Sequence, residues 1–433
     1  MKIIYEIHFG HRSIFRVEEM IDNQTVSKYD IDFRVLKANL NNTTELYLYD
    51  TEYNIFLEPS QYVNNRYRNN SLNTRIRIMY DLRKLYIFSN IIKKQLTIWN
   101  HNDCQKFVSF LYGNDSRNGE DILYTFQDMN QKSLNSTLNN CKNYLKYNEF
   151  ACSKYFENQK SNRISNIYSS SPKSFSKHEI ESIFNYLNNS PDISIESKLK
   201  FNLLIILMLN YGLRIGEVLG LTFEDFIVKN IADGDKLCLV VIRNRISDSI
   251  YQKAKRVISL NDFSQYNSKP YKTKDVGYQL INIDINHYKS IEKYMNESHD
   301  RLSKFKSYAK SKADQVNSNF GGENHYVFLN ENNGNSLSYK VWSTTLRSIL
   351  EAVGIKVDYD VKRNNTSHRF KHSFTTDLLY EKNIPTNIAI HYTRHASIKS
   401  LEPYTKLQDE MLIEIFENIE DIYKKETNND ESI

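Results

Sequence analysis

The hydrophobic spacing of the chain changes period near Asn73, and that change excludes any uniform architecture. Before it, Ile3, Tyr5, Ile7 and Phe9 alternate with polar Glu6 and His8, and Ile31, Phe33 and Val35 alternate with Asp32 and Arg34. TELYLYD and YNIFLEP continue the alternation, which is that of strands. After it, Ile78, Leu82, Leu85 and Tyr86 fall on one side of a helix, with Arg75, Arg77, Arg83 and Lys84 largely on the other. Asn73 or Thr74 is the expected cap. Another helix is expected from about Asn135, with Leu138, Cys141 and Leu145 inward and Lys142 and Lys146 outward. The intervening QLTIWNHNDCQKFVSFLYG reads as a third.

The stretch ENQKSNRISNIYSSSPKS, serine-rich and broken by Pro172, has the composition of a linker. Beyond it, Ser176-Lys177-His178-Glu179 has the spacing of a capping box. Leu199 to Asn210 predicts a strongly apolar helix ended by Gly212, which places Arg214 in the first turn of the next helix, beside amide groups suited to an anion. LCLVVIR, RVISL and QLINIDI, between 237 and 285, read as strands. SHDRLSKFKSYAKSKADQ is a basic helical segment, and HYVFLNENNGNSLSYKVWSTTLRSILEAVGI predicts a short strand, a loop and a helix. Near the end, Leu412, Ile415, Phe416, Ile419 and Tyr423 share a helical stripe, and ETNNDESI is too polar to pack.

The expected fold class is therefore multidomain α+β. A β-rich N-terminal module spans 1–70, a helical domain 71–157, a linker 158–174, and a mixed, mainly α domain with a small antiparallel sheet 175–425; a tail follows over 426–433. A chain of 433 residues can bury two or three separate cores. Its net charge of +5 is modest, so an argument for nucleic-acid binding must come from where basic residues cluster. The four cysteines, at 104, 141, 152 and 238, form no C-x-x-C pair and read as reduced, packed thiols; a zinc site is not expected. MKIIYEIHFGHR lacks a signal-peptide core and the apolar run Leu203 to Leu209 is too short to cross a bilayer, so the expectation is a cytoplasmic protein with no membrane contact.

The chemistry concentrates in TSHRFKHSFTTDLLYEKNIPTNIAIHYTRHASIKSLEPYTKL, residues 366–407. His368, Lys371 and His372 sit at i, i+3 and i+4 and share a helix face; His395 and Tyr404 follow beyond a turn marked by Asn383 and Pro385. A tyrosine hydroxyl with a pKa of about 10 is a poor nucleophile, and a phosphodiester repels negative charge. Cations near the phenol address both problems, and LNYGLRIGEVLGL supplies a further one, Arg214.

These elements resemble the tyrosine recombinase (phage integrase) family, of the mobile-element integrase or transposase type. Its GLR-x-x-E, H-x-x-R-H, GH and final Y-T elements stand here as Gly212-Leu213-Arg214-Ile215-Gly216-Glu217, His368-Arg369-Phe370-Lys371-His372, Arg394-His395 and Tyr404-Thr405. Two departures are specific to this chain. The family's second arginine is Lys371, and its Leu-Gly before the late histidine is Thr393-Arg394. Lysine lacks the planar fork that grips two phosphate oxygens.

The resemblance implies a site-specific DNA recombinase that works without metal or other cofactor. Tyr404 would be the nucleophile, Arg214 and Lys371 the phosphate clamps, His368 a group near the nucleophile, and His395 a phosphate partner, with Glu217 and His372 in support. The family's hairpin lysine is assigned to Lys274 of Lys-Thr-Lys at 272–274, with Lys272 and the Lys253/Lys255/Arg256 cluster as competitors. Arg369, about 100° around the helix from His368, ranks below Lys371 as the second clamp, and Arg394 stays open. The implied partner is double-stranded DNA held by residues 71–157 and 175–425, with tetramers on synapsed DNA joined through the terminal helix and accessory DNA-bending proteins. The alternatives are a DNA-binding protein that kept the fold but lost the chemistry, and a topoisomerase-like enzyme using the same residues.

Overall fold

The computed structural model describes residues 1–404 apart from 10–11, 23, 41–42, 114–121, 127–128, 130, 157–173, 231–235, 318–322, 358–365 and 396. The expected linker lies almost wholly outside the described residues, and the terminal helix and tail lie entirely outside them. The chain divides into two compact units, Met1–Tyr168 and Ser169–Ile433.

In the first unit, β1 (Lys2–Phe9), β2 (Arg12–Ile21), β3 (Gln24–Ile31), β4 (Arg34–Leu40), β5 (Thr43–Tyr49) and β6 (Ile55–Phe56) lead into α1 (Leu57–Gln61), α2 (Leu72–Ile91) and α3 (His101–Tyr112). β7 (Ile122–Tyr124) and α4 (Gln131–Tyr147) follow. The strands form two sheets, ordered β3-β2-β1-β7 and β4-β5-β6. β1 and β2 are antiparallel, whereas β7 joins β1 in parallel, Lys2 opposite Ile122.

The expected separation of a β module from a helical domain is replaced by one shared core. Ile4, Val17, Leu46 and Leu48 from the strands pack in one cluster with Leu82, Leu85 and Phe88 of α2, Phe107 and Phe110 of α3 and Leu145 of α4. A sheet with one apolar face and helices with one apolar stripe each cover the other, so neither needs a core of its own. Strand character ends at Phe56 rather than near residue 70.

Two basic residues expected on the solvated face of α2 are buried instead. Arg83 donates from Nε to the Phe33 carbonyl at 2.5 Å and from Nη2 to the Ser13 carbonyl at 2.6 Å, and Arg75 donates to Asn64 Oδ1 at 2.8 Å. Arg83 binds the strand region to α2, and Arg75 binds the helical turn 62–66 to it. The cap of α2 is Ser71, whose Oγ accepts from the Thr74 amide at 3.3 Å, not Asn73 or Thr74.

The second unit opens with α5 (Lys177–Asn189), where the Ser176 and Glu179 side chains cap each other's amides at 3.1 and 2.9 Å. α6 (Ile195–Leu209), α7 (Ile215–Leu219), β8 (Phe226–Asn230), β9 (Lys236–Arg243), α8 (Lys269–Lys272), β10 (Tyr278–Ile283), α9 (Ile285–Leu302), α10 (Tyr339–Ala352), α11 (Thr366–Thr376) and α12 (Thr386–Thr393) complete it. Its sheet is antiparallel, ordered β10-β9-β8. Leu203, Leu204, Leu207 and Met208 of α6 are enclosed with Val218, Leu219, Trp342, Leu346 and Phe370.

Among the three expected strands, RVISL is not one. The connection from β9 to β10 folds as short turns and α8, because side chains satisfy its backbone in place of a ladder. Asn244 accepts the Ala254 amide at 2.6 Å and donates to the Ala254 and Ile258 carbonyls at 3.2 and 3.0 Å. Arg245, wholly buried, donates to Asp225 at 2.7 Å and Glu224 at 3.0 Å. The segment 325–336 makes isolated bridges rather than a strand, and the basic 298–315 stretch is the end of α9 followed by a 3-10 turn, Lys306–Ser311. No helix of the described residues is long and apolar enough to cross a membrane.

Candidate active site

α6 hands the chain to α7 through Gly212, at φ +60°, where a Cβ would lie 2.3 Å from the Phe374 ring. Only glycine accepts both that backbone and the approach of α11. Arg214 is the residue that caps α7, at its edge rather than inside its first turn. Glu217 fixes it twice: Oε2 accepts the Arg214 amide at 2.8 Å and Oε1 accepts Nη1 at 3.0 Å.

On the other side of α7, a Cβ at Gly216 or Gly220 would come within 2.9 Å of the Tyr251 carbonyl or 2.3 Å of the Gln252 carbonyl. The pair of glycines, four residues apart, lets the 250–253 turn lie against the short helix. Exposed Arg256, at φ +68°, donates to the His395 carbonyl.

The rotation of α11 is set by Phe370, fully enclosed, and by Ser367, whose Oγ accepts the Trp342 indole N–H at 2.9 Å. His368 and His372 then stack at 6.2 Å between ring centroids. The Tyr404 hydroxyl and His372 Nδ1 share a hydrogen bond of 2.5 Å, and the phenol ring lies 5.8 Å from that of His395. Tyr404 is 8 % exposed and packs with Ala389 and Leu401. The sequence places His372 in a supporting role and His368 beside the nucleophile, whereas the imidazole hydrogen-bonded to the phenol is His372.

Lys371 occupies a different place from the one expected of a phosphate clamp. It is 3 % exposed, and Nζ donates to the Gly212 carbonyl at 2.8 Å and the Thr393 carbonyl at 2.9 Å. Lysine, as a compact point donor, satisfies two backbone acceptors here and ties α11 to the loop before α7 and to the end of α12. Arg369 is committed elsewhere, to the Ser174 carbonyl at 3.1 Å and Glu179 at 3.2 Å, with its guanidinium 4.0 Å above the Phe175 ring. Arg394 is buried; its Nη2 donates to Glu217 at 2.6 Å and to the Gly212 carbonyl at 3.1 Å.

Lys274 is exposed on the turn before β10, paired in a bridge with Tyr278. Besides Lys371, the lysine whose charge acts on His368 is Lys255. The signal that could have found it is the Gly216 and Gly220 spacing, which marks the segment preceding Lys255 as a close neighbour of Arg214.

Burial lowers His368 to about 4, reinforced by the charges of Lys255, Arg214 and Lys371. Burial lowers His395 to about 4 as well, with Lys371, Arg214, Arg256 and Arg394 adding to it. Both imidazoles are neutral at pH 7. Burial raises the Tyr404 phenol to about 12, opposed by the charge of Arg214. Burial alone would raise Glu217, but Arg394, Lys371 and Arg214 outweigh it and hold the carboxyl at about 2. The site is a phenol and three imidazoles beneath a group of cations with one buried counter-charge. Such an arrangement suits a nucleophile that must meet an anion.

Residues 271–411 match the model of the phage integrase family. No curated protein matches the sequence. Among solved structures, the chain is similar to the XerH site-specific recombinase bound to palindromic difH substrate in a post-cleavage complex, at 18% identity and a TM-score of 0.50, over 80% of each chain. It is also similar to the Tn1549 transposon integrase in complex with transposon right end DNA, at 15% identity and a TM-score of 0.47, over 84% of this chain and 98% of that one.

Proposed function

We propose, from the match of residues 271–411 to the phage integrase family model, that the chain is a tyrosine recombinase, a site-specific recombinase that cleaves and rejoins duplex DNA through Tyr404. The observation that carries the reading is the Tyr404 hydroxyl, 2.5 Å from His372 and within the field of Arg214.

In the proposed reaction, Tyr404 Oη attacks a phosphodiester phosphorus while its proton passes to His372 Nδ1. The bond from phosphorus to the 5′-oxygen breaks, leaving a 3′-phosphotyrosyl link and a 5′-hydroxyl. Arg214 neutralises the non-bridging oxygens, and neutral His368 and His395 donate hydrogen bonds to them. Lys255 protonates the departing oxygen, in place of Lys274. Because the phosphotyrosyl link retains the bond's energy, a 5′-hydroxyl from another strand can reverse the step and complete an exchange. Unit 1, tetramer formation and accessory proteins enter this reading only as the family pattern suggests them.

A second reading, a DNA-binding protein with impaired chemistry, has one observation in its favour: Lys371 Nζ is engaged by two carbonyls. Nicked duplexes made from the DNA flanking the coding sequence, together with a randomised pool, separate the two. A denaturant-resistant adduct that disappears in Tyr404→Phe is the result expected of a recombinase, and retention on duplex without any adduct is the result expected of the impaired binder. Lys255→Ala is expected to slow adduct formation by ~10²-fold or more and Lys274→Ala to leave it within ~3-fold; the reverse order would restore Lys274 to the role.

A further inference from the structure

Position 394 holds an arginine where the backbone favours glycine, at φ 55° and ψ 41°, in the turn that closes α12. Left-handed backbone is costly for a long side chain, and such cost persists where surroundings enforce it. The guanidinium is buried, its Nη2 shared between the Glu217 carboxylate at 2.6 Å and the Gly212 carbonyl at 3.1 Å and its Nη1 3.4 Å from Gln279 Oε1. Glu217 is the residue that grips Arg214, and the Gly212 carbonyl is the one that Lys371 also uses, at 2.8 Å. Lys371 in turn holds Thr393, the neighbour of Arg394, at 2.9 Å.

Resting on the recombinase reading, we propose that Arg394 is a positioning residue for the cleavage step, and that it and Lys371 form one exchanged unit. The guanidinium enters the space between Gly212 and Glu217 from the end of α12 instead of from α11, and the shorter ammonium at 371 is what leaves room for it. An arginine at 371 would bring a second fork to the same carbonyl and carboxylate and collide with Arg394. The unit sets the orientation of Arg214 through Glu217 and holds the turn that carries His395 against the base of α7.

The test is a cycle of the full-length protein, Lys371→Arg, Arg394→Gly and the double variant, read by the rate of covalent adduct formation on nicked duplexes and by duplex affinity. Arg394→Gly relieves the backbone, which offsets part of the buried ion pair it removes; its adduct rate is expected to fall ~10- to 100-fold with duplex affinity within ~3-fold. Lys371→Arg is expected to fall similarly, and the double variant to return to within ~5-fold of the parent, because each single change breaks a fit that the pair restores. Losses that multiply in the double variant, or an Arg394→Gly loss of affinity equal to its loss of rate, would overturn the proposal. Should the unaltered protein form no adduct with any duplex, the recombinase reading falls by itself. Thermal unfolding of the same four proteins then still decides whether the two positions share a site: recovery of the midpoint in the double variant supports it and independent, summing losses overturn it.

Discussion

Glu217→Gln tests the electrostatic design of the site directly. The carboxylate is buried against Arg394 at 2.6 Å and Arg214 at 3.0 Å, and is held at about 2 from an ordinary 4.5. At about 1.4 kcal/mol for each tenfold change in proton affinity, its ionised form is favoured in the folded state by about 3 kcal/mol. That matches the roughly 3–5 kcal/mol lost when one partner of a buried ion pair is removed. With about 2–4 °C per kcal/mol for a unit of this size, the unfolding midpoint near pH 7 should drop by roughly 6–12 °C. The pH dependence gives a second check. A depressed carboxyl stabilises above its unfolded value and loses that contribution as pH falls from 4.5 through about 2, so Glu217→Gln should have a shallower acid limb than the parent. Calorimetry or circular dichroism across that window measures both. A midpoint within ~2 °C of the parent at pH 7, or an unchanged acid limb, would refute the claim that Glu217 is the counter-charge of the cluster.

His372→Gln keeps a polar partner for the Tyr404 hydroxyl but cannot take its proton; adduct formation should fall by ~10²–10⁴-fold with a flattened pH profile, measured on nicked duplexes. Gly220→Ala would place a Cβ 2.3 Å from the Gln252 carbonyl, so it should cost about 1–3 kcal/mol in denaturant unfolding and lower the adduct rate by displacing Lys255. His299, His368 and His395 are all lowered to about 4 by burial, so the unfolded chain takes up protons first and stability should fall as pH drops from 6.5 towards 4. Asp248, raised to about 6 by burial, works in the opposite sense over part of that range, and His368→Asn should reduce the net slope measured by urea titration.

The sequence revealed most where a residue type and a spacing have a single physical use. The Ser176 and Glu179 capping box, the apolar face of α6 and the shared face of His368, Lys371 and His372 were all readable in this way. It failed where a side chain's destination depends on what folds beside it. Arg83 lies on a helix side that looks polar, yet two carbonyls of the strand region wait there. RVISL has strand composition, but the Asn244 side chain supplies its backbone with other partners, at the Val257 and Ile258 carbonyls. Lys274 and Lys255 look alike as letters; what sets Lys255 apart as the proposed acid is the close approach of the preceding turn permitted by Gly216 and Gly220. The choice between His368 and His372 turned on the direction from which Tyr404 arrives, which no periodicity encodes.

The parallel pairing of β1 with β7 has a bearing on how the first unit is made. Lys2 finds its partner at Ile122, so that edge of β1 has no neighbour until a segment far along the chain has come back to it. Their apolar side chains also wait for α2, α3 and α4 to cover them. The first sheet is therefore completed by a strand distant in sequence, and contacts so far apart along the chain make for slow closure.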